Sequence, residues 1–490
     1  MKRPMFFGAI LACICIIISY INIKTTLFCG VGLICLLVGL IVNKTGTKSY
    51  AAVIVALAVL LSLINAYKTL DRIDEISGER ITESFTVTDV KKGDNYKFIT
   101  VNCDSGTVIP QNTKLGIYVY NDDNGFYMGK RMTASVTIQT LSNADNKSYY
   151  YSNSIFALGD IKNILETYDD SYFYKRAGNI RSFVNKNIIS AMPIENAATL
   201  LGITIGNNEL FTAEFSEAIR VTGVSHIMVV SGMHLTIILG SIFWLLDKIF
   251  YHSYIRFLIS FVIIVLLTSI CGFSLSIVRA GLMFLFLSLA PLVRRDNDSL
   301  NSLGSAMIII LLISPFAILG VGFQLSALAT FGIIYIVPFA EKHIVINNKI
   351  LKALVLSIIV TLSATVTTLP VTIYNFGYVS LISPVSNMLI SFAVTLALCI
   401  AIIGLLLNCF SALSAVSGFV LDISSFVVSY INFCINTCAK VPYAAVEAGD
   451  IAFILSLIFS IGTVLFISAC KYKENLLKSN YNQTRRDSKW

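Results

Sequence analysis

The sequence predicts a polytopic α-helical membrane protein of about 11–12 spans that carries one small extracellular all-β domain. Three observations lead there. Of 490 residues, 56% are hydrophobic and only 13% are charged, with a mean hydropathy of +0.77; a water-soluble domain carries about a quarter charged residues. The apolar residues come in long blocks, the form lipid demands because backbone N–H and C=O groups must be satisfied within the segment. One polar stretch, roughly 75–165, stands apart and is punctuated by turn signals.

The elements follow in order. Apolar runs at 5–23, 27–43 and 50–69 read as three N-terminal transmembrane helices within 1–70. The first is too long for a signal-peptide core and no small-residue cleavage site follows it, so it is read as a retained span. Lys2, Arg3, Lys44 and Lys48 place the N-terminus and the second loop in the cytoplasm by the positive-inside rule, which leaves residue 70 outside. Within 75–165, β-like runs at Ser84–Val90, Lys97–Cys103, Lys114–Tyr120 and Arg131–Thr140 alternate with turns such as Lys92-Gly93-Asp94 and Asp122-Asp123-Asn124-Gly125. A small barrel of about five strands, OB-like, is the economical fold.

Residues 171–220 carry Lys175, Arg176, Arg181 and Lys186 near their start and read as amphipathic interfacial helices. From 221 to 470 the chain is apolar almost throughout, with spans expected near 223–247, 256–272, 276–293, 302–319, 322–340, 353–373, 382–408, 412–438 and 450–470. Lys248, Arg256, Arg294, Arg295, Lys342, Lys349, Lys352 and the basic tail 471–490 alternate as successive crossings require, which puts both termini in the cytoplasm. Eleven Cys lie mostly inside apolar blocks without CxxC spacing, so buried thiols are expected rather than disulfides or a zinc site. No metal and no cofactor is expected.

A polar residue at membrane depth needs a reason. The densest group is Thr222-Gly223-Val224-Ser225-His226, continuing through Ser231-Gly232-Met233-His234. On one continuous helix His226 and His234 stand about 80° apart around the axis. Two readings compete: helix–helix glue, with Gly for close contact and Ser and His for hydrogen bonds, or the wall of a water-filled path. Arg279, Gln324, Ser326 and Asn387 each bring one further polar group from another span, the pattern of a lined cavity. Arg279, near a span end, has a rival role as a snorkelling cation. The candidate path is Ser225, His226, Ser231, Gly232, His234, Arg279, Gln324, Ser326 and Asn387.

The Gly-x-Ser-His and Ser-Gly-x-His runs at 223–234 resemble the signature of the ComEC/Rec2 competence family, the inner-membrane channels for DNA uptake. Gly206, Glu209, Phe215, Arg220, Thr222, Val278-Arg279-Ala280, Arg295…Asp298-x-x-Asn301, Ser314-Pro315, Phe323-Gln324-Leu325-Ser326 and Thr368-Leu369-Pro370…Phe376-Gly377…Ser380…Ser383-Pro384…Asn387 follow in that family's order. The resemblance implies a competence-type channel domain over 221–470 in a bacterial cell membrane, with single-stranded DNA as cargo. Met233 departs from the family's usual Leu. No His-x-His-x-Asp-His run of a metallo-β-lactamase-like domain and no complete P-loop occurs. The expectation is therefore a non-enzyme, served by a separate DNA receptor, nuclease and cytoplasmic ATPase or helicase.

Phe85, Tyr96, Phe98, Tyr118 and Tyr120 of the β region are expected to fill its core rather than stack on bases. Over 79–170 there are nine Lys and Arg against twelve Asp and Glu, which excludes an electrostatic funnel. The rival functions are a small-molecule or lipid-linked transporter, and an intramembrane hydrolase using Ser231 with His226 or His234.

Overall fold

Between Arg80 and Tyr168 the apolar residues repeat with the period of two that a strand imposes, and they close a barrel. The computed structural model describes residues 4–21, 48–92, 96–120, 125–141, 146–168, 170–228, 232–249, 252–290, 292–294 and 298–487. The expected span 27–43 lies outside them. Strands β1 (Arg80–Lys92), β2 (Lys97–Cys103), β3 (Lys114–Val119), β4 (Arg131–Thr140) and β5 (Ile155–Tyr168) pair in the closed order β1-β2-β3-β5-β4. Only β3–β5 is parallel. Phe85, Val87, Ile99, Val101, Leu115, Ile117, Met132, Val136 and Ile138 point inward and are fully buried. Closure leaves no edge strand to recruit another chain, and a bulge between Val87 and Asp89 bends the long β1 around the barrel.

The core expectation holds for Phe85 and fails for its companions. Tyr96 is 40% and Tyr120 71% exposed, while Phe98 and Tyr118 alternate with the buried Ile99 and Ile117 and lie on the outer face. The reason is register. Once the β-branched and aliphatic residues take the inward positions, the aromatic ones, one residue away, must face out.

Glu83 points into the barrel and is 2% exposed. Its carboxylate accepts from Ser105 Oγ, Thr107 Oγ1 (2.6 Å), Val108 N (2.5 Å) and Ile109 N (3.3 Å), pinning the β2–β3 connection. Burial opposes its charge, but these donors together outweigh burial and hold the carboxyl below the usual range.

The helices are numbered in chain order. They are α1 (Pro4–Ile21), α2 (Lys48–Glu75), α3 (Lys147–Ser152), α4 (Tyr172–Ala191), α5 (Ile194–Ile205), α6 (Ala213–Val221), α7 (Ser225–Met228), α8 (Gly232–Ile249), α9 (Ser253–Ile270), α10 (Leu275–Leu289) and α11 (Ser299–Ile313). A 3-10 turn, Pro315–Leu319, leads to α12 (Val321–Lys342) and α13 (Lys349–Phe376). The chain ends with α14 (Ser383–Leu407), α15 (Ser414–Ala439) and α16 (Asp450–Asp487), and a hairpin of β6 (Tyr378–Ser380) and β7 (Ala445–Glu447) joins two of the connections. Among the described residues six helices are long and apolar enough to cross a membrane: α9, α12, α13, α14, α15 and the first 24 residues of α16. The protein is thus a polytopic helical membrane protein with a small β barrel.

Two expected elements differ in form, and a third, the run 223–247, is described only in part: Gly223 at its start takes φ +69°, and residues 229–231 between α7 and α8 lie outside the described set. The run 302–319 splits at Ser314-Pro315, because proline cannot continue the hydrogen-bond ladder and disfavours a helical residue before it. Of the expected interfacial helices, α4 keeps one buried face, Ala177, Val184 and Ile188, as amphipathicity requires. In α5, by contrast, Asn196 to Ile203 and Ile205 are all buried, so that helix is a packed core element. Its mean composition is simply too apolar to lie at a surface.

The helices and barrel form two compact units. The first comprises residues 1–217, 225–324 and 391–434. In it Gly304 lets α11 meet the backbone of Phe6 in α1, and Asn301 Oδ1 accepts from Met5 N at 3.1 Å. Phe316, 1% exposed, joins barrel to bundle: the rings of Tyr20, Tyr67, Tyr151 and Phe156 surround it at centroid distances of 5.5–6.4 Å. Arg181 of α4 reaches Asp89 of β1 at 3.1 Å. The second unit comprises 218–224, 325–390 and 435–490. There Gly332 of α12 meets the α13 backbone at Ser363, Thr367 Oγ1 donates to Leu328 O (2.8 Å), and Tyr335 and Ser468 hydroxyls bond at 2.7 Å. Cys13, Cys103, Cys271, Cys399, Cys409, Cys434, Cys438 and Cys470 are free thiols, with Cys13, Cys103, Cys434 and Cys438 buried.

Replacing Glu83 by Gln removes the charge and puts an amide donor among donors, and is expected to cost the barrel about 2 kcal/mol. Hydrogen exchange over 80–168 in the full-length protein measures it. Because the folded carboxyl sits below its unfolded value, its contribution is present above the unfolded pKa of about 4.3 and fades as pH falls through the lower folded one. The wild-type barrel should lose protection on acidification in a way the Gln variant does not.

Candidate functional site

A helix C-terminus leaves carbonyls without partners, and the structure uses distant serines to satisfy those at the end of α6. Gly223 terminates that helix in the left-handed region, with Gly223 N bonding Arg220 O (3.1 Å) and Val224 N bonding Ile219 O (3.2 Å), a Schellman end. The Val221 carbonyl accepts from Ser380 Oγ at 2.7 Å, and the Thr222 carbonyl from Ser386 Oγ at 2.9 Å. Thr222 itself is fully buried. A Cβ at Gly223 would stand 2.8 Å from Ser383 Cβ and 2.9 Å from Ser380 Cβ, so only glycine fits. Asn387, 4% exposed, donates through Nδ2 to Ser383 Oγ at 3.0 Å. Pro384 sits in the first turn of α14, where its missing N–H costs nothing. This cluster lies wholly in the second unit.

The first unit holds the other cluster. Gly232 opens α8, and a Cβ there would lie 3.0 Å from Ala280 Cβ and 3.3 Å from Arg279 Nη2. The small pair Ala280-Gly281 lets α8 and α9 both approach α10, with a Cβ at Gly281 meeting Ile264 Cγ2 at 2.7 Å. Gly232, Leu235 and Leu239 share the face of α8 toward α10, where the two leucines pack with Ile264, Ile277, Ala280 and Phe284. Arg279 is 5% exposed, its guanidinium against Gly232. That excludes the snorkelling role, since its head lies between helices. His234, fully buried, stands about 200° round α8 from Gly232.

The remaining candidates are placed as follows. Ser225 and His226 are exposed on α7. Gln324 Nε2 donates to Ile318 O at 2.8 Å, closing the 3-10 turn, which is glue rather than lining. Ser326 is half-buried on α12 and belongs to the second unit. Ser231, nucleophile of the hydrolase reading, lies outside the described residues. Ser380 is legible in the sequence only as a motif member and Ser386 not at all, because their pairing with residues some 160 positions earlier leaves no signal in a single sequence. Among the described residues no group of three or more His, Cys, Asp or Glu is arranged to hold a metal ion.

A set of long apolar helices with polar clusters between them, joined to a closed β barrel, defines a membrane protein with internal polar sites. Residues 203–472 match the family described as Competence protein, more than half of the chain and all of both clusters, and the chain belongs to that family. It is also similar to ComE operon protein 3 of Bacillus subtilis (strain 168), with 23% identity over 326 residues, 66% of this chain and 41% of that relative. The chain thus matches well under half of that relative's length. No solved structure matches.

Gly223→Ala forces a side chain into the left-handed region and against two serines, and should lower stability by about 2–4 kcal/mol. Gly232→Ala meets one methyl and one guanidinium arm, and should cost about 1 kcal/mol. Thermal melting of both variants in detergent checks the order.

Proposed function

We propose that the helical part of this protein is the route by which single-stranded DNA enters the bacterial cell during natural transformation. The observation that carries this reading is Arg279, an arginine buried between apolar helices with its guanidinium against the first residue of α8. A charge at membrane depth is costly, and its usual return is an ion or substrate path. The Arg279 guanidinium beside Gly232 is a fixed positive group among apolar helices, an arrangement that favours an anion beside it. Membership of the competence family and the polar residues at 222–234 support the same reading.

The chemistry is conduction. Phosphates cannot enter hydrocarbon bare, and a wall with many cations would trap the strand; one arginine among neutral His and Ser groups offers each passing phosphate a weak hold. In this reading Ser225, His226, Ser231, Gly232 and His234 line the path with Arg279, the barrel and the outer loops face outward, and both termini are cytoplasmic. Moving each negative charge inward costs about 2.3 kcal/mol per 100 mV, so a separate cytoplasmic ATPase or helicase supplies the pull. A DNA receptor and a nuclease are further separate partners.

Cells producing Arg279→Gln at wild-type membrane abundance should import labelled DNA about tenfold more slowly or worse, the worth of one charge-assisted phosphate contact. Arg279→Lys should retain part of the rate, and His234→Ala should also lower it. Unchanged import in both Arg279→Gln and His234→Ala would refute the path.

A further inference from the structure

We propose that the outward face of α15 is a docking seam for one transmembrane helix of another protein, a helix that carries a Lys or Arg side chain opposite Asp422. The seam begins as a sequence pattern. Val416, Phe419, Ile423, Phe426, Tyr430 and Phe433 recur at alternating spacings of three and four, the a and d positions of a coiled coil. That spacing keeps them on one stripe of the helix. The stripe faces out: Phe419, Phe426 and Phe433 are 67%, 79% and 67% exposed, and Val416, Ile423 and Tyr430 are exposed with them. The opposite face of α15 is already taken. Ser417 Oγ donates to Gly404 O at 2.8 Å and Ser424 Oγ to Ala397 O at 3.1 Å, both on α14, and Asn196 of α5 reaches Ser425 at 3.0 Å.

Lipid tails cover an apolar stripe unaided; what they do not cover is Asp422. It is the sole charged residue of α15 and lies well inside that helix. Three residues separate it from Phe419 and four from Phe426, so it stands on the same face as both. In the heptad it takes the g position, beside the a/d stripe, from which charges choose a partner and its orientation. The side chain is exposed, and no hydrogen bond or ion pair among the described residues reaches it. Of the six span-length helices, α15 alone carries an Asp or Glu away from its ends. A lone carboxylate facing hydrocarbon is costly, and an opposite charge on a neighbouring helix removes that cost. The aromatic stripe selects an apolar helix crossing at a shallow angle, about +20°. The carboxylate then selects, among such helices, one with a cation at the same depth.

The test places the full-length protein in neutral-lipid liposomes with a synthetic single-span peptide, a Leu-Ala helix bearing one Lys at the depth of Asp422. Energy transfer between labels on the two reports docking. The Lys peptide should bind about tenfold more tightly than the same peptide with Leu at that position. Asp422→Asn should abolish the difference, with thermal melting as in wild type, and Phe426→Ala should weaken docking of both peptides. Asp422→Lys should reverse the preference, favouring a peptide with Glu in place of Lys, an outcome that loss of folding does not produce. Equal binding of the Lys and Leu peptides to wild type would overturn the seam, as would a Lys preference that survives Asp422→Asn. Energy transfer between two labelled copies of the protein, lost in Asp422→Asn while the peptides dock without preference, would give the face to a second copy and overturn the proposal.

Discussion

Lipid offers no hydrogen bonds, and that constraint organises the helical part of this protein down to single hydroxyls. Threonines inside helices return their hydroxyls to the carbonyl four residues back, as Thr204 does to Leu200 and Thr268 to Ile264, each at 2.7 Å. Longer polar side chains pair across helices instead. Asn196 of α5 donates to Ser425 (3.0 Å) and Ser429 (2.8 Å) of α15, and Thr199 donates to Asn432 at 2.7 Å. This seam is what allows a short apolar helix to sit buried rather than at the surface. Where the α6 helix stops at Gly223, the same demand is met by Ser380 and Ser386 from across the fold.

Satisfying those groups leaves few degrees of freedom, and glycine marks where they run out. Gly223, Gly232, Gly304 and Gly332 each stand where a methyl group would strike a neighbouring side chain or backbone. Close approach of helices replaces the hydrophobic drive that lipid withholds, since dispersion and short hydrogen bonds grow with proximity. The barrel follows the opposite regime. It buries aliphatic residues from water, pins a buried carboxylate with four donors, and hands its aromatic surplus to the outside. Phe316 and its four surrounding rings connect the two regimes, an apolar joint that suits the boundary between lipid and water.

Much was legible in advance because it depends on local pattern. The strands from Lys97, Lys114 and Arg131 begin where the alternation begins, and α9 and α12 to α16 lie where the apolar blocks do. The misreadings share a cause. The run at 223–247 opens on Gly223, which ends α6 in a backbone conformation that composition does not encode. Tyr96 and Tyr120 were assigned to the core because strand aromatics often go there, but a one-residue choice of register sends them out. Arg279 near a span end has the same sequence context whether it snorkels or packs.

The sequence by itself determined the solvent of each region, the class of each element and the order of the competence motifs, because hydropathy and periodicity are properties of neighbours along the chain. Only the tertiary structure decided which of the polar residues meet. Ser380 and Ser386 reach Val221 and Thr222 from about 160 residues away, Arg279 settles on Gly232, and Gln324 turns aside to close a turn. Those pairings follow from helix crossings and from the cost of an unsatisfied group in lipid, which a chain meets only once it is folded.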